Sequence, residues 1–426
     1  MKKILNRLTI KSEFAKNAFT LTLGTSIAQA FPMLFYPILG RIFEPAEFGF
    51  LATLTSITSI LTVIATGKYE SSILITDSKK DAVNIVGLVL LLSFSFLLIS
   101  FLVLQIFSYK LSVWFNEPNL KKWLFICPLS AFSIIIFNCY NEWCVRNKYF
   151  LSLSWNKIIN SAATTFSKLF FGLVKVSSKG LIIGDLIGRI ISAVGCIFRA
   201  LRTDKAEFYQ FSFKQMGILA KRYLKFPKYL LPDQLLDTLN SQLPTLTIAY
   251  FFRSTEVGYY AMAGSLLSVP VSIIANAMRD VFRQRANEEW MSNGNCKNIY
   301  NKTVKVMFFI IVPTSTILII ILPDLFSLLL GENWRIAGIY ARILISNEAI
   351  LFIFQVVGAV FIIANKMKMS FIWQFFSIML TVVSLSIGCL GFKDIKITLI
   401  CYVIARCVAN LTRFYMTYNF SKGINI

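Results

Sequence analysis

The chain has no histidine, so the commonest general base and metal ligand is missing from its chemistry. Acids are scarce as well: 21 Asp and Glu stand against 43 Lys and Arg, a formal net charge of +22. So basic a balance suggests nucleic acid at first sight, yet the cations lie in loops between apolar runs and not in one folded basic domain. Membrane topology accounts for them, and no nucleic-acid partner is expected. The eight cysteines include no Cys-x-x-Cys pair and fall mostly within apolar runs, which argues against a disulfide framework and against a zinc site. No long polar stretch separates the apolar runs on one side of the chain, which leaves no room there for a catalytic domain.

What the sequence has instead is hydrocarbon. Hydrophobic residues make up 56% of 426 positions and charged residues 15%, with a mean hydropathy of +0.66, a composition foreign to a water-soluble domain. Apolar runs of 18 or more residues cross a bilayer as helices, because a helix satisfies its own backbone where no water is available. Twelve such segments are expected, near 17–39, 48–66, 83–107, 123–145, 154–174, 180–200, 229–252, 257–278, 304–323, 336–364, 370–390 and 397–418. Ala28-Gln29-Ala30 imitates a signal-peptidase site, but apolar sequence continues beyond it and eleven more segments follow, so the first segment is expected to remain.

With the N-terminus placed in the cytosol, and residues near helix ends counted with the loop they border, 29 Lys and Arg fall in cytosolic segments and ten in outer loops, while Lys168, Arg189, Arg342 and Arg406 lie within helices. Both termini are therefore expected in the cytosol. The segment 199–228 is the longest polar stretch and carries eight basic residues.

The two halves of the chain repeat. Aligning Gly49 with Gly258 superposes Phe43 on Phe252, Glu47 on Glu256, Phe50 on Tyr259 and Ala52 on Ala261, at an offset of 209. Phe115-Asn116-Glu117 matches Leu330-Gly331-Glu332 at 215, and Asn147-Lys148 matches Asn365-Lys366 at 218. The expected architecture is an all-α polytopic protein of two six-helix lobes, 1–205 and 206–426, joined by the cytosolic linker 199–228. Each half has six segments and starts on the same side, so the repeats are parallel.

Several stretches carry a family resemblance: Arg41-Ile-Phe-Glu-Pro-Ala-Glu-Phe-Gly-Phe50, Lys68-Tyr-Glu-Ser-Ser-Ile73, Val257-Gly-Tyr-Tyr-Ala261 continuing to Leu267-Ser-Val-Pro270, Val281-Phe282, and Leu328-Leu-Leu-Gly-Glu-Asn-Trp334. Together with the twelve segments, the chain resembles the bacterial polysaccharide-unit flippases, the O-antigen and capsule repeat-unit exporters of the multidrug/oligosaccharidyl-lipid/polysaccharide superfamily. That resemblance implies two lobes around a central cavity, a location in the bacterial inner membrane, and movement of a sugar repeat unit on undecaprenyl pyrophosphate from the inner to the outer leaflet. It implies a transporter and not an enzyme, with no cofactor beyond proton or sodium coupling. The partners it implies are the lipid-linked oligosaccharide, the bilayer, and polysaccharide-assembly enzymes. The motifs are shared by exporters of many glycans and hand over no catalytic signature, so site candidates come from the residues themselves.

A lipid-linked oligosaccharide leaves its tail in hydrocarbon but needs partners for its hydroxyls and its pyrophosphate, since an unpaired hydroxyl costs about 2–7 kcal/mol in an apolar medium. Membrane-embedded cations are the first candidates. Arg189 and Arg406 are related by an offset of 217, which fits the repeat and makes them candidate substrate-binding residues. Asp185, four residues before Arg189, is positioned to pair with it. Arg406 has only Tyr402 and Asn410 at helical spacing. Arg342 and Lys168 lie nearer outer helix ends, where their heads can reach the headgroups.

Asp233, Asp237, Asn240, Ser241 and Pro244 form a polar stripe. In it Asp237 is a binding and coupling candidate, and Asp233 a coupling candidate or a surface partner of Lys225 and Lys228. Gln29 and Gln242 are candidate sugar ligands. Glu348 is a further coupling candidate, and Glu142 a polar position without an assigned partner. The hydroxyl run Thr55, Thr58, Ser59, Thr62 and Thr66 either binds sugar or bonds its own helix. A multidrug-type exporter is the alternative within transport; a membrane glycosyltransferase or polysaccharide polymerase is the alternative outside it, and would want an acid or base in a sizeable extramembrane loop.

Overall fold

The computed structural model describes residues 2–174, 179–208 and 210–423, with the side chains of 2–19, 280 and 367 outside the description. The basic residues of the first nineteen positions therefore lie outside the described side chains. Helix is the dominant structure, and all twelve segments expected from hydropathy are helical. They are α1 (Lys2–Ile42), α2 (Pro45–Thr66), α3 (Lys79–Ile106), α4 (Ile126–Arg146), α5 (Phe150–Leu173), α6 (Gly180–Thr203), α7 (Leu231–Phe251), α8 (Ser254–Asn293), α9 (Lys297–Leu330), α10 (Arg335–Val357), α11 (Met367–Ser386) and α12 (Ile395–Ser421). Among the described residues, eight helices are long and apolar enough to cross a membrane. Three of the others, α4, α5 and α7, carry charged residues such as Glu142, Lys157, Lys168 and Asp237 within their length.

Several ends are written in the local sequence. At α2, Pro45 occupies the first helical position, where its missing N–H costs nothing, and the Glu47 carboxylate accepts from the Glu44 backbone N–H at 2.9 Å, closing the turn as a capping box does. Ser78 caps α3 by accepting from the Asp81 N–H at 3.0 Å, and Asp394 caps α12 by accepting from the Ile397 N–H at 3.0 Å. The turns after α4 and before α11 are built alike. Lys148 (φ 59°) and Asn365 (φ 54°) are both left-handed, and the Tyr149 N–H donates to the Cys144 carbonyl at 2.8 Å as the Lys366 N–H does to Phe361 at 2.9 Å, a helix-terminating six-residue bond. The structural equivalence at this turn is thus an offset of 217, one residue from the offset read by matching the asparagines, and equal to the offset of the two arginines.

Contacts group the chain into two compact units: Met1–Phe35 with Leu54–Thr238, and Tyr36–Thr53 with Leu239–Ile426. In the first, Ile73, Val83, Ile135, Trp143 and Leu219 are among the buried core. In the second, Phe282, Tyr300, Phe352, Val357 and Phe420 play that part.

The stretch Tyr36–Thr53 holds to the second unit through specific bonds. The Trp334 indole donates to the Gly40 carbonyl at 2.8 Å, Arg41 donates to the Leu328 carbonyl at 3.0 Å, and Phe48 meets Trp334 edge-on at 5.2 Å between centroids. Tyr259 packs edge-on against both Trp334 and Tyr340. Tyr340 in turn donates from its hydroxyl to Glu256. The repeat-related glycines Gly49 and Gly258 face each other here: a Cβ on Gly49 would fall into the Ser254 carbonyl and within 2.7 Å of Gly258 N, and a Cβ on Gly258 would fall into the Pro45 carbonyl.

Candidate functional site

In the first unit, α5 and α6 approach closely because of a spacing in the sequence, Gly180-x-x-x-Gly184-x-x-x-Gly188. A Cβ at Gly184 would lie 2.6 Å from Lys168 Cα, and one at Gly188 would lie 2.6 Å from Thr164 N. Small residues at every fourth position let membrane helices touch backbone to backbone. This contact sets Asp185 between two cations. Lys168 Nζ lies 2.7 Å from one carboxylate oxygen and Arg189 Nε 2.6 Å from the other, with Asp185 6% exposed. The pairing of Asp185 with Arg189 follows the four-residue spacing. Lys168 does not reach for headgroups; it is the third member of the cluster, which carries one formal positive charge in excess.

The second unit gathers polar side chains from five helices. On α7, Asn240 Nδ2 donates to Ser377 Oγ at 3.1 Å, and Thr381 donates to Asn240 Oδ1 at 3.0 Å. Arg406 Nη1 donates to the same Ser377 Oγ at 2.8 Å. One turn further along α12, Asn410 Nδ2 donates to Asn347 Oδ1 at 3.0 Å, and Asn347 donates to Glu348 at 3.4 Å. Glu348 and Tyr402 both lie within electrostatic reach of Arg406, and Tyr260 on α8 bonds the Tyr402 hydroxyl. Arg406 Nε is buried with no hydrogen-bond partner among the described residues, and so is Asn410 Oδ1. A guanidinium has five N–H donors, and leaving one buried and unpaired is expensive. Helical spacing on α12 gave Tyr402, Arg406 and Asn410 as one stripe. Their connection to Glu348, Asn240 and Ser377 crosses between helices, which one-helix spacing does not report.

A further cation of the second unit is enclosed by aromatic rings, which the sequence does not signal. Arg413 Cζ stands 3.6 Å from the Phe354 ring centroid and 4.0 Å from that of Trp373, between rings inclined by 18°. A planar guanidinium suits such a slot better than an ammonium would.

The remaining candidates are dispersed. Asp233 and Asp237 are exposed, with Gln234 Nε2 3.5 Å from the Asp237 carboxylate. On α7, Asn240 bonds Ser377 and Thr381, while the two aspartates are exposed. Among the described residues no ion pair joins Asp233 to Lys225 or Lys228. Gln242 donates to its neighbour Ser241 at 3.1 Å, and Gln29 is half-buried on α1. The hydroxyls of Thr58, Ser59 and Thr62 each donate at 2.8 Å to the carbonyl four residues back. Three hydroxyls of the run thus donate within their own helix. Glu142 lies near Glu70 and Lys68, and Arg342 is exposed, 3.5 Å from the Ile320 carbonyl.

Helices of this length and apolarity define a multi-pass membrane protein. Solved structures share the fold. The lipid II flippase MurJ in an inward closed conformation superposes with a TM-score of 0.75 at 14% identity, covering 93% of this chain and 89% of that one. A Vibrio cholerae MATE transporter follows with a TM-score of 0.63 at 14% identity, covering 96% and 97%. A Klebsiella pneumoniae protein described as an uncharacterized membrane protein in the cps region is 22% identical over 347 residues, 80% of this chain and 70% of its own length. The model of the polysaccharide biosynthesis protein family matches residues 38–338, and the chain belongs to that family.

Proposed function

We propose that the protein carries oligosaccharide repeat units, linked through pyrophosphate to undecaprenol, from the inner to the outer leaflet of the bacterial inner membrane. The units would serve O-antigen, capsule or a related surface polysaccharide. In this reading twelve helices span the bilayer as two parallel six-helix repeats around a central cavity, with lobes 1–205 and 206–426 and both termini in the cytosol. No catalytic chemistry is required, because flipping changes the position of the substrate and none of its bonds.

The observation that carries the proposal, beside the family, is Arg406. Its Nη1 is fixed on Ser377, while its Nε has no acceptor among the described residues. A cation held by a neutral hydroxyl keeps its charge for an anionic ligand, whereas Arg189 shares Asp185 with Lys168. At an effective dielectric of about 20, a unit charge pair at 4 Å is worth roughly 4 kcal/mol, enough to favour entry of a pyrophosphate or an acidic sugar into an apolar bundle. Glu348, beside Arg406, is the group we assign to coupling, by proton or sodium: when the carboxylate is charged it competes with the substrate for Arg406, and when it is neutralised it releases that cation. A multidrug exporter selecting cations would be disfavoured by the same two arginines.

Arg406→Ala should abolish surface glycan while the protein still reaches the membrane, and Arg406→Lys should retain part of the activity. Wild-type export by Arg406→Ala at equal expression would remove the central claim.

A further inference from the structure

Two of the sequence stretches singled out above, Leu267-Ser-Val-Pro270 and Val281-Phe282, lie on α8, which the proposed function leaves without a part. One face of α8 is core: Leu267, Ala275 and Phe282 are buried. Another is apolar and exposed, at Ile274 and Val281. A third differs from both. Ser265, Ser268, Ser272, Asn276, Arg279 and Arg283 follow one another at spacings of three or four residues, which on a continuous helix makes one line of side chains. At about 100° per residue, that line runs on the opposite side of α8 from Ile274 and Val281. Exposed apolar residues on one side and a polar line on the other are the pattern of a helix that meets lipid with one face and water with the other.

The line ends in two cations. Arg279 and Arg283 are exposed, and among the described side chains neither is paired with an acid. The described acids of α8 are engaged elsewhere: Glu256 accepts from Tyr340, Glu288 from Gln284 Nε2 at 3.1 Å, and Glu289 from the Ile299 N–H at 2.9 Å. Arg279 Nη2 donates to Asn276 Oδ1 at 2.8 Å, which ties its guanidinium to the residue before it in the line. Side chains four residues apart stand about 5–6 Å apart at Cβ, so two guanidinium forks can close on two linked phosphates, one on each. A serine that donates to its own helix, as Ser268 does, still has lone pairs to accept from a sugar hydroxyl.

The position along the helix suits a lipid phosphate. In the proposed topology α8 runs from the outer side to the cytosol. At about 1.5 Å per residue, Arg279 and Arg283 come roughly 38 and 44 Å along it from Ser254, the inner headgroup level of a bilayer about 40–45 Å thick.

We infer that Arg279 and Arg283 capture the diphosphate of a lipid in the inner leaflet, and that the line from Asn276 to Ser265 is the polar track along which the attached sugars pass. The inference rests on the proposed transport and gives it an entry point, on a different helix from Arg406. A phospholipid with a single phosphate would engage one arginine and leave the other unused.

The test uses the full-length protein purified in mild detergent and titrated with undecaprenyl pyrophosphate, undecaprenyl phosphate or phosphatidylglycerol, bound lipid being counted by native mass spectrometry. The diphosphate should be retained about tenfold over either monophosphate, the factor that one charge-assisted hydrogen bond supplies. That preference should persist in Arg406→Ala. Adding Arg279→Gln and Arg283→Gln to Arg406→Ala should bring the three lipids to within about twofold, whereas adding Arg285→Gln, an exposed cation of α8 away from the line, should leave the preference unchanged. For the track, Ser268→Cys should react with a membrane-impermeant thiol reagent above the background of the native cysteines, and Ile274→Cys should not. Loss of the preference in Arg406→Ala alone, or its survival in the triple variant, would overturn the capture site while leaving the transport reading standing. Absence of any preference in the unaltered chain would overturn both, and equal reactivity of the two cysteine variants would overturn the track.

Discussion

Replacing Asp185 by asparagine leaves Lys168 and Arg189, both within 2.7 Å of the carboxylate in the native chain, facing each other without an intervening anion. Asp185 is 6% exposed, so water cannot take over its role. Breaking a buried ion pair from one side costs about 3–5 kcal/mol, and here a single substitution strips two cations at once. Removing either cation alone is a smaller perturbation, because the other still neutralises the carboxylate; the loss of one charge-assisted hydrogen bond is worth about 1.5–3 kcal/mol. The expected order of damage is therefore Asp185→Asn first, with Lys168→Met and Arg189→Gln milder and comparable.

Thermal unfolding of the detergent-solubilised protein, followed by loss of monodisperse material on heating, reads this order directly. The same three variants can be scored for surface glycan at matched expression. Should Arg189→Gln destabilise as strongly as Asp185→Asn, Lys168 is not sharing the charge and the account of a three-membered cluster is wrong. The converse test is the triple change Lys168→Met, Asp185→Asn, Arg189→Gln, which removes every charge together. Recovery of stability with recovery of export would make the cluster structural, whereas recovery of stability without export would give its excess positive charge a part in transport.

Gly49→Ala and Gly258→Ala should each lower thermal stability by about 1–3 kcal/mol through overpacking, since each new methyl would enter a backbone carbonyl of the facing helix; unchanged melting of both variants would contradict that crossing. Gly188→Leu should separate α5 from α6 and weaken the cluster at Asp185, a loss that Gly195→Leu, at a glycine facing open space, should not produce; equal melting of the two variants would count against the contact. Reporter fusions after Gly40, Lys110, Lys179, Arg253, Glu332 and Lys393 should all report the outer side, and one firm cytosolic signal among them would break the proposed topology.

The helices were legible because the bilayer imposes length and apolarity on each segment separately, and both are local quantities. One turn of the repeat is seen in the structure, where Lys148 and Asn365 share a left-handed conformation, and the sequence match at Asn147 stands one residue out of register with it, since it aligns identical side chains and not backbone conformation. What escaped the sequence was partnership between helices. In the sequence Lys168 stands alone near a helix end, yet Asp185 meets it across a glycine contact. The Gly180, Gly184, Gly188 spacing that creates the contact stood in plain sight, but a reading by hydropathy treats glycine as neutral filler. Glu348 and Arg406 lie 58 residues apart, with nothing in the spacing of either helix to join them, and nothing in the sequence around Arg413 shows that aromatic rings enclose it.

The placement of Tyr36–Thr53 within the second unit bears on how this protein can be cut and recombined. A chimera made at the polar linker, exchanging residues 206–426 with those of a relative, would separate Trp334 from the Gly40 carbonyl it bonds and Gly258 from the glycine it crosses. Such a hybrid would fail for want of a fitted peptide even if its substrate contacts were sound. Specificity exchanges between relatives should therefore transfer 36–53 together with the C-terminal half, a discontinuous graft that follows the contacts and not the order of the chain.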